Sequence, residues 1–474
     1  MNRTNQVAVI GLGVMGGNLA RNLASRGFRV GGYNRSPEPA RALAAGHPEA
    51  NLDLASDLPG LVARLERPRR LILMVPAGPA VDEVLDRLDG LLEDADLVVD
   101  AGNSLYTDTD RRLARASGRP WRFMGMGVSG GAEGALQGPA IMPGGAPEAY
   151  EAMRPMLEAI AARGSGGPTV AWCGHGSAGH FVKMVHNGIE YGDMQLIAET
   201  AMLLRDGLGL AGESVAGIFE SWNRGELESF LVEITASILR TPDPERADGA
   251  LLVDAILDQA GQKGTGRWTV VAAAELGVPI PTIAAAVDAR NLSAARPLRV
   301  EASRSLGERR GRLDGVGVDD LRDALSSAKI ASYAQGFALL RAASLERGYQ
   351  TDLAEVARIW TAGCIIGARF LERVREAFGK QPNLPTLALS PDFAEELQRR
   401  EKAWRRVVDG ANAAGFPAPG LGASLGWFDT LRASRGSAAL IQAQRDYFGS
   451  HTYERIESPG KRVHTDWAKV AGEG

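Results

Sequence analysis

Cysteine and histidine are scarce in this chain of 474 residues: there are two cysteines, Cys173 and Cys364, and six scattered histidines. They form neither a zinc-ligand spacing nor a redox motif, so metal catalysis is set aside and no metal ligands are assigned. Long apolar runs are missing too, and no segment reads as a membrane span. The short apolar start, Val7 to Ile10, runs straight into a glycine motif, so the expectation is a cytoplasmic protein without a signal peptide. Excess positive charge is absent as well. With 53 Lys and Arg against 57 Asp and Glu, the net charge of −4 does not suit a nucleic-acid binder, and any bound anion must be met by a local cluster. What is present, 45% hydrophobic and 23% charged residues, is the composition of a soluble globular protein. Its length calls for two or three domains.

The first stretch, VAVIGLGVMGGNLARNLASRG, reads as strand, glycine turn and amphipathic helix. Within Gly11-Leu12-Gly13-Val14-Met15-Gly16 the three glycines fit G-x-G-x-x-G. The first permits the turn, the second lets backbone approach a pyrophosphate, and the third packs helix against strand. A strand over Phe28 to Tyr33 is expected to end at the adenine ribose. Asn34, Arg35 and Ser36 follow it, a guanidinium and a hydroxyl with no acid to repel a 2′-phosphate, which favours NADP over NAD. Ser36-Pro37 also suits a helix start. Further strands at Leu71 to Val75, Leu97 to Asn103 and Arg122 to Gly131 alternate with helical stretches, as a doubly wound parallel sheet requires. Val75, Pro76, Ala77 and Asn103 fall at the strand carboxyl ends, where such sheets bind ligands.

Gly127-Val128-Ser129-Gly130-Gly131 formally matches G-x-S-x-G, the nucleophile elbow of serine hydrolases. That motif needs a helix directly after the serine, and the glycines and proline that follow here disfavour one. Ser129, Gly130 and Gly131 are therefore read as a nest of backbone amides for a carboxylate.

After Gly179 the chain reads as long helices. In the stretch Gly179 to Thr200, Lys183, His186, Asn187, Glu190 and Tyr191 recur at helical spacing and share one face. A solvated helix face is the usual meaning of such a stripe. This one instead holds an amine, an imidazole, an amide, a carboxylate and a phenol without repetition, which is equipment for proton transfer and substrate positioning. A faint internal duplication pairs Lys183 to Gly192 with Lys329 to Ala338, and Trp222 with Trp360. The second copy has Ser332, Tyr333 and Gly336 where the first has His186, Asn187 and Glu190, so it is read as structural. Two loops, around Lys263 and around Arg290, bring positive charge for a phosphate. The last forty residues are too aromatic for a disordered tail and are expected to dock on a second copy, offering Arg445 and His451 to its site.

Taken together, GLGVMGGNLARN, YNRS, DAGNS, GVSGGAEGA, IMPGG, KMVHNGIEYGDMQLIAE, GQKGTGRWT, ARNLSA and RDYFGSHTYE resemble the decarboxylating 6-phosphogluconate dehydrogenases over essentially the whole chain. The resemblance implies a Rossmann-like α/β domain over residues 1–178, an all-α substrate and dimerisation domain with internal duplication over 179–434, and a tail over 435–474 that reaches into the other subunit of a homodimer. It implies oxidation of 6-phosphogluconate with NADP to ribulose 5-phosphate and carbon dioxide. Lys183 would be the general base and Glu190 the general acid. Asn103, Ser129, Gly130, Gly131, His186 and Asn187 would hold the sugar acid, Tyr191, Lys263, Arg290 and the neighbouring chain's Arg445 the phosphate, with the tail's His451 as a further substrate contact. Lys183 must then be largely neutral, which requires its pKa to fall from about 10.4. Two departures stand out: Gly13 replaces a common alanine, and Pro76 stands where many relatives carry lysine. Alternatives are a β-hydroxyacid dehydrogenase for a smaller substrate and a non-catalytic NADP-binding protein.

Overall fold

The computed structural model describes residues 4–246, 248–308 and 310–471. By its internal contacts the chain divides after Ser424 into two compact units, 1–424 and 425–474.

The larger unit begins with an α/β layer. Strands β1 (Val7–Ile10), β2 (Val30–Tyr33), β3 (Asp53–Leu54), β4 (Arg70–Leu73), β5 (Leu97–Asp100), β6 (Arg122–Ser129) and β7 (Ala140–Pro143) form one sheet in the order β3-β2-β1-β4-β5-β6-β7. The strand reversal beside β1 is the arrangement that opens a ligand crevice at the carboxyl edge. β1 through β6 are parallel, and the central β1, β4 and β5, buried by helices on both faces, read as apolar runs and not as alternation. β7 departs from the expected all-parallel sheet and runs antiparallel to β6, from Met126 opposite Pro143 to Ser129 opposite Ala140. The chain between these strands holds one short helix, Gly131–Gln137, too little for a parallel crossover. Strand limits also shift. Phe28 and Arg29 precede β2, and Met74 to Ala77 and Ala101 to Asn103 leave the sheet as loops at its carboxyl edge.

Two long helices dominate the rest of this unit: a central helix, Ala178–Met202, and a counterpart, Val318–Arg347. Each is followed by a shorter helix that leads to a tryptophan, Gly212–Asn223 with Trp222 and Leu353–Ile359 with Trp360, so the duplication seen in the sequence is a duplication in space. Gly192 and Gly336 let the long helices approach. A Cβ on Gly192 would stand 2.4 Å from Ser332 Oγ, and one on Gly336 2.5 Å from Ile189 Cδ1. The central helix is pressed just as hard against the sheet. A Cβ on Gly127 of β6 would meet Lys183 Cβ at 2.4 Å, and one on Gly179 would meet Met142 O at 2.5 Å and Gly125 O at 2.7 Å. Backbone therefore lies on backbone along this seam, and the start of the central helix has one position available.

The smaller unit contains a helix, Ala438–Gly449, a hairpin of Tyr453–Arg455 with Ser458–Val463, and a short helix, Trp467–Ala471. Asp446 ties them together. Its buried carboxylate accepts from Thr452 N at 2.8 Å, Thr465 N at 3.1 Å, Trp467 Nε1 at 2.9 Å and His464 Nδ1 at 2.9 Å. The tail is thus an ordered element, and its order comes from polar anchoring of aromatic residues.

Gly179→Ala is expected to overpack the seam and cost about 1–3 kcal/mol of stability, read as a lowered denaturation midpoint in guanidinium. An unchanged midpoint would show that the helix has room to move.

Candidate active site

The glycine turn after β1 opens a cleft of 950 Å³ at the carboxyl edge of the sheet. Gly11 takes φ +95, which a glycine adopts without strain, and a Cβ on Gly16 would lie 1.8 Å from Gly11 O, so the turn and its helix fit only without side chains. At Gly13 a Cβ would meet no protein atom within 4 Å; the space beside it faces the cleft. Gly13, Val14, Met15, Asn34, Arg35, Ser36, Val75, Pro76, Ala77 and Asn103 all border this cleft. Leu12 differs: it is buried at 3% exposure, and its role is to donate its N–H to Asn34 Oδ1 at 2.8 Å, fixing the end of β2 to the turn. The dimensions, the glycine cradle and the cation at the β2 end fit a dinucleotide.

The two loops at the far end of the cleft are held by one buried arginine. Arg112 donates to Gly78 O at 2.9 Å, to both Asp82 carboxylate oxygens at 3.0 Å and to Asp100 Oδ2 at 3.3 Å. Hydrogen bonds from Arg112 and Arg111 hold the Asp82 carboxyl well below the usual range. No local pattern marks this clamp, because an arginine on an amphipathic helix looks like a solvated one.

Below this end of the cleft the central helix presents its stripe, and the stripe is not solvated. Lys183, His186, Asn187 and Tyr191 are buried, and the Glu190 side chain is 21% exposed. Ser129 Oγ lies 3.1 Å from His186 Nε2, while His186 Nδ1 is 3.1 Å from Asn187 Oδ1, 3.5 Å from Lys183 Nζ and 3.8 Å from Glu190 Oε2. With the imidazole proton on Nδ1, Asn187 accepts it and Nε2 accepts the Ser129 hydroxyl. Burial drives each group toward its neutral form. The Lys183 pKa falls despite the opposing pull of Glu190, that of His186 falls well below its usual value, and that of Glu190 rises although Lys183 and Arg290 oppose the rise. A buried amine with a lowered pKa beside a buried carboxyl with a raised one is suited to proton transfer in both directions.

Two neighbours come from the second copy of the repeat. Cys364 is buried near Lys183 and Glu190, its thiol pushed up to about 12, so it stays uncharged beside the amine. The Trp360 ring meets His186 edge-on at 5.5 Å. Neither has a sequence signal, since each looks like ordinary core. Lys329, the counterpart of Lys183, is different in kind. It donates to Asp193 Oδ2 at 2.7 Å, which also accepts from Tyr333 Oη at 3.1 Å.

Two expectations need correction. The glycines after Ser129 do not prevent a helix: Gly130 and Gly131, at φ +111 and +65, make the turn, and residues Gly131–Gln137 are helical. The strand–turn–helix of a hydrolase elbow is therefore present in outline. Ser129 itself, however, lacks the positive φ of a strained nucleophile and sits buried on β6. Arg290 is likewise not on a loop but inside the helix Pro281–Ala294, its guanidinium carbon 3.5 Å from the centre of the Tyr191 ring. Lys263 is on a loop, at the cleft beside Asn103. A further correction concerns the β2 end, expected to be free of acids: Glu83, from the helix Pro79–Leu88, stands 3.5 Å from Arg35. In the tail unit Arg445 donates to Gln442 Oε1 at 3.1 Å, and His451 packs edge-on against Phe448, with ring centres 5.8 Å apart.

Comparison with known proteins bears on what this site does. Residues 6–174 match the family described as the NAD binding domain of 6-phosphogluconate dehydrogenase, and residues 179–467 match 6-phosphogluconate dehydrogenase, C-terminal domain. The chain is 48% identical to a chloroplastic decarboxylating 6-phosphogluconate dehydrogenase of Arabidopsis thaliana, covering 98% of each chain. It is 49% identical to the decarboxylating enzyme of Synechocystis, covering 97% of each. Among solved structures it resembles 6-phosphogluconate dehydrogenase of Plasmodium falciparum, studied with its cofactor NADP+ and its substrate 6-phosphogluconate. That match has a TM-score of 0.93 and 40% identity, and covers 98% of this chain and 100% of the other.

The two buried lysines are expected to behave oppositely. Lys329→Met leaves Asp193 buried without its cation and should cost about 3–5 kcal/mol, whereas Lys183→Met removes a poorly paired buried amine and should be neutral or stabilising by about 1 kcal/mol. Denaturant titration of both variants reads the difference, and equal losses would contradict it.

Proposed function

The chain belongs to the 6-phosphogluconate dehydrogenase family, and we propose how its residues divide the decarboxylating reaction of that family. It is an NADP-dependent oxidoreductase that converts 6-phosphogluconate to ribulose 5-phosphate and carbon dioxide. The observation that carries the assignment of roles is the buried, poorly paired amine of Lys183 in a cluster with His186, Asn187 and Glu190.

Gly11 to Gly16, Asn34 to Ser36, Val75 to Ala77 and Asn103 would hold the dinucleotide, with Arg35 at its 2′-phosphate. Bound NADP+ supplies the hydride acceptor. Lys183 takes the proton of the C3 hydroxyl as hydride leaves C3, which yields a β-keto acid. Lys183 then returns that proton to the C3 oxygen while the carboxylate departs, the bond electrons flowing into the C3 carbonyl. Glu190, whose pKa burial raises, delivers a proton to C1 of the resulting enediol while Lys183 takes up the hydroxyl proton as the ketone forms. Ser129, Gly130 and Gly131 at the start of a helix, together with Asn103, His186 and Asn187, hold the sugar acid. Tyr191, Lys263 and Arg290 hold the phosphate with Arg445 of the partner subunit, and His451 of the partner subunit is a further substrate contact.

The assembly that serves this chemistry is a homodimer with exchanged tails. Within the larger unit the helix Arg296–Leu306 buries no residue, and its Leu298 and Leu306 are 64% and 85% exposed. Within the tail unit Tyr447 and Phe448 are 60% and 73% exposed. Apolar surface of this kind calls for a cover, which a second copy supplies. Among the described residues no helix is long and apolar enough to cross a membrane. Cytoplasm is the proposed compartment, although relatives include chloroplastic enzymes.

Purified protein given 6-phosphogluconate and NADP should release carbon dioxide and NADPH in equal amounts. Reduction without carbon dioxide would point to a simple hydroxyacid dehydrogenase, and no reduction would point to a binding protein. Lys183→Ala is expected to lose nearly all turnover and still bind NADP. The pH profile gives a signed test. The Glu190 carboxylate raises the Lys183 pKa, so in Glu190→Gln the acidic limb of single-turnover NADPH formation should move to lower pH. A shift to higher pH would exclude the pairing. Tail exchange is read by mixing inactive Lys183→Ala with inactive Arg445→Ala: heterodimers carry one intact site, so about a quarter of the sites recover at equal mixing. No recovery would place Arg445 in its own subunit's site or outside any site.

A further inference from the structure

The rim of the cleft at the end of β2 carries more charge than Arg35 alone. The helix Pro79–Leu88 lays Glu83 and Arg87, four residues apart and so on one face, along the same rim. Glu83 Oε2 is 3.5 Å from Arg35 Nη1, with 63% and 80% of the two side chains exposed. Arg87 donates through Nη2 to Tyr33 Oη at 3.0 Å, and its guanidinium carbon lies 5.6 Å from the Tyr33 ring centre. Tyr33 is the last residue of β2 and directly precedes Asn34 and Arg35, so the tyrosine anchors the second guanidinium close to the first. Two cations and one carboxylate leave a single net positive charge at this rim.

We propose that Glu83 and Arg87 set how strongly this cleft prefers a 2′-phosphorylated adenosine ribose over an unphosphorylated one, a proposal that rests on Arg35 being the 2′-phosphate contact. Glu83 works against the phosphate. A group with nearly two negative charges that approaches Arg35 finds the guanidinium already paired, and it must displace the carboxylate or sit beside it. The same carboxylate is available to accept from a free 2′-hydroxyl, the part that an acid plays in NAD-binding clefts. Because the Arg35–Glu83 pair is exposed, it is weak, and the phosphate can displace it. Glu83 therefore moderates the preference without reversing it. Arg87 works for the phosphate. It supplies the second cation at this rim, while the loop after β4 brings the uncharged Val75, Pro76 and Ala77 to the cleft.

Equilibrium binding of adenosine 2′,5′-bisphosphate and of 5′-AMP to the full-length protein, measured by calorimetry, tests this without turnover. Glu83→Gln is expected to tighten the bisphosphate about five-fold at low salt, leave 5′-AMP unchanged or slightly weaker, and lose its advantage at high ionic strength. Arg87→Gln is expected to weaken the bisphosphate about ten-fold and leave 5′-AMP unchanged. Arg35→Gln is the reference. If it loses bisphosphate affinity while Glu83→Gln and Arg87→Gln do nothing, this proposal falls and the 2′-phosphate reading of Arg35 stands. If none of the three responds, both fall. Equal changes for the two ligands would also overturn the proposal, since the effect would then lie on the adenosine and not on its 2′ position.

Discussion

One constraint underlies the rest of this structure: an amine is held in a place where it does not want its charge. Lys183 sits on a helix that glycines let down onto the sheet, with Gly127 under its own Cβ and Gly179 against the backbone of Met142 and Gly125. Lys183 is buried, at 6% exposure, and among the described residues its amine has one direct polar contact, a long one to His186. Charging such a group costs several kcal/mol of hydration unless a partner compensates. Burial accordingly lowers the pKa of this amine, and the neutral form that it favours is a base.

The duplicated helical region shows what the alternative looks like. At the corresponding position Lys329 is just as buried, but it has Asp193 at 2.7 Å and Tyr333 completing the carboxylate's shell. That lysine is spent on structure, and it fastens the counterpart helix to the central one. The two copies share their backbone plan and differ in whether the amine was given a counter-ion. The second copy also stands beside the cluster, with an uncharged Cys364 near Lys183 and the edge of Trp360 against His186.

Much of this was legible in the sequence, and the parts that were not have identifiable causes. The glycine turn and the strand–helix alternation follow from local rules, because only glycine takes the φ of Gly11 and because buried parallel strands leave unbroken apolar runs. The reactive stripe was visible because helical spacing aligns Lys183, His186, Asn187 and Glu190 whatever surrounds them. Invisible were features decided by tertiary approach. The Arg112 clamp, the Glu83 partner of Arg35 and the stacking of Arg290 on Tyr191 each join residues from separate elements, and no local pattern marks them. The turn after Ser129 misled for another reason. Glycine lowers helix propensity on average, yet Gly130 and Gly131 serve as the turn before the helix Gly131–Gln137 and do not break it.

The lowering of the Lys183 pKa by burial can be examined at the amine itself. Protein labelled with carbon-13 at the lysine ε-carbons would be titrated by NMR, with the Lys183 signal identified by its loss in Lys183→Arg. Burial of this amine is expected to make its signal titrate below the ordinary lysine value. A Lys183 signal that titrates together with the surface lysines would contradict it.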